Sequence, residues 1–330
     1  MNSSKVLKVL SALCAAVLLM AAGTNLLSLA HAEQYHIGDA EISSAIKNLE
    51  IDWTSGAVHI AYHSGNTIHI SEKTTGVISK DMRMRWCLDG DTLRIEYDQP
   101  GFHLFSVIPH DKELTVTLPE GITLEKADIH STSGDLFIPA LRADSVKLKS
   151  TSGDIHAAVS ARTIKSKLTS GDIELQVMSA AEEITIESTS GDITLESAWA
   201  ADKTEIDSTS GEIRAAIKQT DEFKVKSTSG DIHAVLGNVK TANIKSTSGK
   251  VTVETEGMEK LEIRATSGDV TAYLPTAPGF TAQLETTSGR IDSQMPLTKD
   301  GKTYTAGDGS GKVEIHTTSG NVTVCAKEDR

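Results

Sequence analysis

Apolar and polar residues alternate along most of this chain, as in Val146-Lys147-Leu148-Lys149 and Ile184-Thr185-Ile186-Glu187. That pattern belongs to short β-strands with one face in a core. The alternation is punctuated by Thr-Ser-Gly, which occurs ten times between Gly134 and Gly320. Its glycines are Gly134, Gly153, Gly171, Gly191, Gly211, Gly230, Gly249, Gly268, Gly289 and Gly320, at steps of 19, 18, 20, 20, 19, 19, 19, 21 and 31 residues. Five residues before the glycine stands an apolar residue in every copy but one, the exception being Ser166. Two residues after it the series runs from Leu136 and Ile155 to Ile291 and Val322 without a break.

Each repeat therefore reads as strand, Thr-Ser-Gly corner, strand, and a looser return through residues such as Ser160-Ala161-Arg162. Glycine at the third corner position supplies the positive φ of a type II turn. A single rung of two strands cannot bury its own apolar face. Stacked rungs can, because equivalent residues form columns ~4.8 Å apart and each strand bonds to the rungs above and below. The expected fold is all-β, a parallel β-solenoid of about 19-residue rungs with an irregular N-terminal cap, forming a rod on the order of 40 Å long.

Three regions follow: 1–32, a signal peptide or N-terminal membrane anchor; 33–126, an N-terminal rung with capping β-structure; and 127–330, the repetitive solenoid. In the first, Lys5 and Lys8 precede an apolar run, and Ala30-His31-Ala32 fits a small-x-small cleavage site. Val6 to Ala30 is also long enough to span a bilayer uncleaved. Cys14 lies inside the apolar run with no small residue before it, which argues against lipid attachment there. In the second, Leu49 to Ile60 carries an eleventh copy at Gly56, followed by a strand at Thr67 to Ser71, a hairpin around Asp89-Gly90, and a strand at Leu114 to Leu118. The stretch from Gln99 to His110 is read as a loop covering the first rung, and Gln294 to Gly311 as a protruding loop before a last rung at Val313 to Val324.

The formal charge is −13. It becomes more negative when the two N-terminal lysines are removed. An acidic rod speaks against nucleic acid as a partner. Cys87 and Cys325 have no companion ligands at metal-binding spacing, so no metal or cofactor is expected; whether they pair is left open.

The repeats resemble a family of bacterial surface proteins designated putative adhesins, a domain of unknown function that includes the LiaG-like proteins of Gram-positive bacteria. The features that match are the Leu49 to Gly56 opening, the strand Leu114-Thr115-Val116-Thr117-Leu118-Pro119 and the recurrent Ser-Thr-Ser-Gly-Asp-Ile. The resemblance implies an extracytoplasmic β-solenoid, often held by an N-terminal span, and an adhesin label; the expected partners of such a secreted or cell-surface scaffold are cell-wall glycan, a host or neighbour surface, or a surface or membrane protein in envelope-stress signalling. It carries no catalytic residues to transfer.

Three features bear on chemistry. The residue after each glycine runs Asp135, Asp154, Asp172, Asp192, Glu212, Asp231, Lys250, Asp269, Arg290, Asn321, so stacking makes a carboxylate ladder. The ladder is either a row of turn residues bonding nearby backbone or a cation site. The threonine column, from Thr132 to Thr318, is read as turn stabilisation in preference to an ice-binding array. Gly307-Asp308-Gly309-Ser310-Gly311 echoes glycine-rich calcium repeats, but it occurs once and reads as a loop. Histidines such as His59, His63, His69, His156 and His233 show no partner pattern, and the acids are spread evenly. The function read from the chain is a non-catalytic scaffold; the alternative is a carbohydrate-active β-helix enzyme of the lyase or hydrolase kind, which needs acids converging on one groove.

Overall fold

The computed structural model describes residues 35–76, 78–98 and 112–327. The expectations for residues 1–32, Cys14 among them, and for the loop at 99–110 lie outside the described residues.

Successive rungs pair in parallel. Ile193 is register partner to Ile213, and Ile213 to Ile232, with exposures of 0, 0 and 1 %. The column on the other strand, Ile206, Val225 and Ile244, is equally closed. The protein is thus an all-β parallel solenoid, its core a stack of β-branched and leucine side chains supplied by the two-residue alternation.

The return is tighter than the sequence suggests. Ile213–Ser229 and Ile232–Ser248 are each one continuous strand of seventeen residues, bending without losing their ladder. Ala181, Ala201, Thr220 and Val239 pair across this bend and are buried. Small side chains let the backbone turn while it stays hydrogen-bonded, so the expected loose return is instead a third inward-facing column.

Chain order and spatial order part at both ends. Asn48–Ser55 lies between Thr92–Glu96 and Leu124–Ser133, and Val58–His63 between Lys112–Pro119 and Leu136–Ser152. The first rung in the chain is therefore second in the stack. At the far end Gly311–Ser319 lies between Val251–Ser267 and Gly279–Ser288, and Val322–Ala326 between Val270–Leu274 and Ile291–Ser293. The last rung in the chain is inserted beneath the one before it.

Antiparallel strands close the ends. Ile68–Thr74 covers Lys112–Pro119, and Arg85–Asp89 covers Thr92–Glu96. At the other end Thr303–Gly307 pairs with Gly279–Ser288 and with Thr298–Asp300. The segment expected to protrude at 294–311 is thus largely a hairpin laid along an edge strand, where it occupies backbone groups that would otherwise invite another chain.

At the N-terminal end Lys112 takes the place of the corner glycine. Its side chain is 1 % exposed and its ammonium sits 2.9 Å from Glu72 Oε1. It donates to the carbonyls of Met82 and Tyr97 and lies 3.5 Å from the Tyr97 ring centroid. Trp53, fully buried, donates its indole N–H to the Lys112 carbonyl at 3.0 Å. Burial pulls the Lys112 pKa below the usual lysine range against the opposing pull of Glu72.

Candidate functional site

The corner acids form a connected ladder. Asp135 Oδ1 accepts the Asp154 N–H at 2.8 Å, Asp154 that of Asp172 at 2.8 Å, Asp172 that of Asp192 at 2.7 Å, and Asp192 that of Glu212 at 2.7 Å. Asp231 accepts from Lys250, and Asp269 from Asn321. Each carboxylate spends an oxygen on the next rung, as a turn residue would, except that the bond is between repeats instead of within one. Glu212 is a methylene longer and turns to Arg214, 2.5 Å away. At the end Asn321 Oδ1 performs the same role for the Arg290 N–H at 3.0 Å.

The threonines do something else. They lie at the ends of strands, as Thr228 does in Ile213–Ser229, and are exposed. In three rungs the corner is tied by the serine one residue earlier: the hydroxyls of Ser150, Ser208 and Ser246 point inward and donate to the carbonyls of Ser152, Ser210 and Ser248 at 3.0 to 3.2 Å, while those of Ser131, Ser188 and Ser227 at the same position have no partner. Among the described residues, no Thr-Ser-Gly threonine hydroxyl takes part in an intramolecular hydrogen bond. In those three rungs the turn role assigned to the threonines belongs to the buried serine. Strand periodicity, inward at the serine and outward at the threonine, was the signal for this.

These threonines form the floor of a trough of ≈ 810 Å³ that runs from Thr189 to Thr318 across the stacked rungs. Its wall is the column two residues earlier: Lys167, Glu187, Asp207, Lys226, Lys245, Arg264 and His316. Lys167 pairs with Glu187 at 2.5 Å, Lys226 with Asp207 at 3.4 Å, and Arg264 with Glu262 at 2.7 Å. The Asp207 carboxylate holds the Lys226 pKa above the usual lysine range. Lys245 makes no ion pair among the described residues. An acidic protein thus carries here a strip whose wall has more cations than anions.

Elsewhere, histidines join neighbouring rungs. His59 lies 3.1 Å from Glu113, His130 2.9 Å from Asp52, and His156 2.9 Å from Glu174. His59, Phe137 and His156 also stack, with centroids 4.9 and 5.3 Å apart. A partner pattern therefore exists across rungs that spacing along the chain does not reveal. Cys87 and Cys325 are free and belong to opposite ends of the stack, Cys87 in Arg85–Asp89 and Cys325 in Val322–Ala326. That separation is far beyond disulfide reach. Among the described residues, no three His, Cys, Asp or Glu side chains are grouped to hold a metal ion.

Comparison with known proteins gives one family. The model of the Toastrack DUF4097 family matches residues 46–236 and again 159–325. No curated protein matches the chain. Among solved structures, a "putative adhesin" from Bacteroides fragilis is 12% identical with a TM-score of 0.40, covering 88% of this chain and 96% of that one. A "putative adhesin" from Parabacteroides merdae is 14% identical with a TM-score of 0.42, covering 73% and 97%. A "putative lipid binding protein" from Parabacteroides distasonis is 13% identical with a TM-score of 0.37, covering 88% and 96%. The family match spans the rungs from the first glycine corner to the last, and the chain belongs to the Toastrack DUF4097 family.

Proposed function

We propose that this protein is a non-catalytic, extracytoplasmic scaffold that binds a component of the cell envelope or a cell surface along one face of its rod. The observation that carries this is the division of labour at the corner. The acids are committed to backbone bonds between rungs, while the adjoining threonine hydroxyls are left free over a long trough. Export is supported by the basic start, apolar run and Ala30-His31-Ala32 of the N-terminal segment, which either is cleaved or remains as an anchor. A glycan lyase or hydrolase needs a free acid and base facing one bond. In the trough wall Glu187 and Asp207 are each held by a lysine.

The test is retention of the exported protein on isolated cell-wall and membrane fractions, with release of reducing ends measured alongside. Retention on either fraction without cleavage supports the scaffold. Absence of retention on both, or turnover of a glycan, overturns it.

A further inference from the structure

Charges on the outer face of the strand leading into the glycine corner change sign in blocks. Two columns, four and six residues before the glycine, run in unbroken register across ten rungs, from Arg94 and Glu96 to Glu262 and Arg264. Glu50 and Asp52 make an acidic rung, and Lys147, Lys149, Lys165 and Lys167 fill two adjacent cationic ones. Glu205 with Asp207 is acidic again, and Lys224 with Lys226 cationic. Like charges side by side at the ~4.8 Å rung spacing destabilise a sheet. Such blocks call for an opposing surface.

Their order is antisymmetric about the gap between the Lys167 and Glu187 rungs. Counted outward from it, Lys167 matches Glu187, Lys149 matches Asp207, Lys147 matches Glu205 and Asp128 matches Lys224. Further out Asp52 matches Lys245, and at the ends Arg94 matches Glu262 and Glu96 matches Arg264. In these two columns no acid is matched with an acid, and no lysine or arginine with another; Lys226 meets His130, and Glu50 and Lys165 meet the neutral Asn243 and Thr185. The next column out agrees, Lys126 matching Glu222. The register is selective. Sliding by one rung would set Lys149 against Lys226 one way, or Lys167 against its own copy the other way. A second observation concerns the cations left over. Among the described residues of these columns, Lys149 and Lys245 have no ion pair within the chain, and their matches, Asp207 and Asp52, are both acids.

We infer that this face is the contact between two copies of the chain lying side by side and antiparallel. The two-fold axis lies in the face, parallel to the strands and between the Lys167 and Glu187 rungs, so that each residue meets its match on the other copy, the isologous form of a closed dimer. Ten rungs at ~4.8 Å and three outward columns give a contact about 48 Å by 20 Å, roughly 900 Å² on each copy, within the range of specific interfaces. Charge complementarity of this kind fixes register and partner more than it adds affinity. The threonine columns of the two rods come opposite each other at the margin of the contact. The inference goes beyond the envelope-binding reading, whose retention assay does not depend on it.

The experiment is sedimentation velocity of the exported protein at about 100 μM, a concentration at which a polar contact of this size associates. At ~0.15 M salt the Debye length of ~8 Å damps repulsion between two acidic rods but not the pairs in contact, and a dimer is expected; at ~1 M salt a monomer is expected. Lys149→Glu places a carboxylate against Asp207 twice in the dimer and should weaken association by about tenfold or more. Asp207→Lys places an ammonium against Lys149 twice and should do the same. Mixed in equal amounts, the two variants should associate within about threefold of the native protein, because every altered charge then meets its opposite. Each variant has the same fold alone and in the mixture, so this recovery reports the contact and not folding. A monomer at ~0.15 M salt, association untouched by Lys149→Glu, or variants that stay apart when mixed overturns the inference.

Discussion

A Cβ atom on Gly211 would lie 2.0 Å from the carbonyl oxygen of Gly191, the residue it stacks upon. The corner glycine is thus demanded twice, by a φ of +107° and by its neighbour's backbone. At Gly289 only the second demand applies. Its φ is not among the positive ones, yet a Cβ there would come within 1.9 Å of the Gly320 oxygen. Gly211→Ala is expected to cost about 3 kcal/mol or more. Gly289→Ala, whose dihedral any residue can adopt, should also destabilise. Denaturant unfolding of both variants checks this, and a neutral Gly289→Ala would mean that stacking does not enforce the column.

Ser166 is paired between Leu148 and Ile186 in the buried column, 1 % exposed, and its hydroxyl has no partner. The next inward position holds Leu168, where neighbouring rungs place Ser150 and Ser188. Leucine and serine have exchanged places, so core volume is kept while the hydroxyl is stranded away from the corner carbonyl that Ser150 reaches. Ser166→Leu combined with Leu168→Ser restores the common order and is expected to stabilise by about 1 kcal/mol, the cost of an unmade buried hydrogen bond. Ser166→Leu alone overpacks the column and should destabilise by about 1 to 3 kcal/mol. Thermal melts of the two variants should move in opposite directions.

Ser166 also shows what was legible. The columns of Ile193, Ile213 and Ile232 could be read from spacing because a two-residue alternation repeated every nineteen residues or so allows one stacking. The inserted rungs could not, since Gly268, Gly289 and Gly320 sit in nearly identical triplets and nothing local says which neighbour each takes. The trough was missed for a related reason. Assigning Thr-Ser-Gly wholly to a turn hid the fact that the strand continues through Ser210 and turns Thr209 outward.

Asp172 links two rungs through its own backbone and its carboxylate, accepting from the Asp192 N–H at 2.7 Å. Asp172→Ala should cost about 1 to 2 kcal/mol, the loss of a hydrogen bond to a charged acceptor. Asp172→Asn should cost less, because an amide oxygen serves at Asn321. Since these carboxylates already spend an oxygen on backbone, millimolar calcium is expected to shift the melting temperature no more than sodium at equal ionic strength. A calcium-specific rise of many degrees that Asp172→Asn removes would show the ladder to be a cation site.

Lys112 and Glu72 are a fully buried pair at the capped end. Lys112→Met leaves the Glu72 carboxylate without its closest cation and should cost about 3 to 5 kcal/mol. Adding Glu72→Met should recover much of that loss, because paired apolar replacements avoid an uncompensated charge. A double variant no more stable than Lys112→Met would show that the remaining contacts of Glu72, to the Met84 N–H and Arg83, hold the cap.

The inserted last rung makes the two ends of a deletion experiment unequal. Removing residues 212–230 joins Gly211 to Asp231 one repeat later, with every column intact, so the chain should fold into a rod one rung shorter. Removing residues 309–330 deletes no more than the final rung and tail in chain order, yet that rung lies between Val251–Ser267 and Gly279–Ser288. Those strands would be left about two strand spacings apart, ~9.6 Å, across which no N–H···O bond forms. The outer rung then either collapses onto its new neighbour, dragging the Thr303–Gly307 hairpin with it, or detaches and exposes Val270 and Ile263, now fully buried. The truncated protein should melt well below the internally deleted one and bind hydrophobic dye at its exposed end. Equal melting temperatures for the two deletions would show that the outer rung does not depend on the strand inserted beneath it.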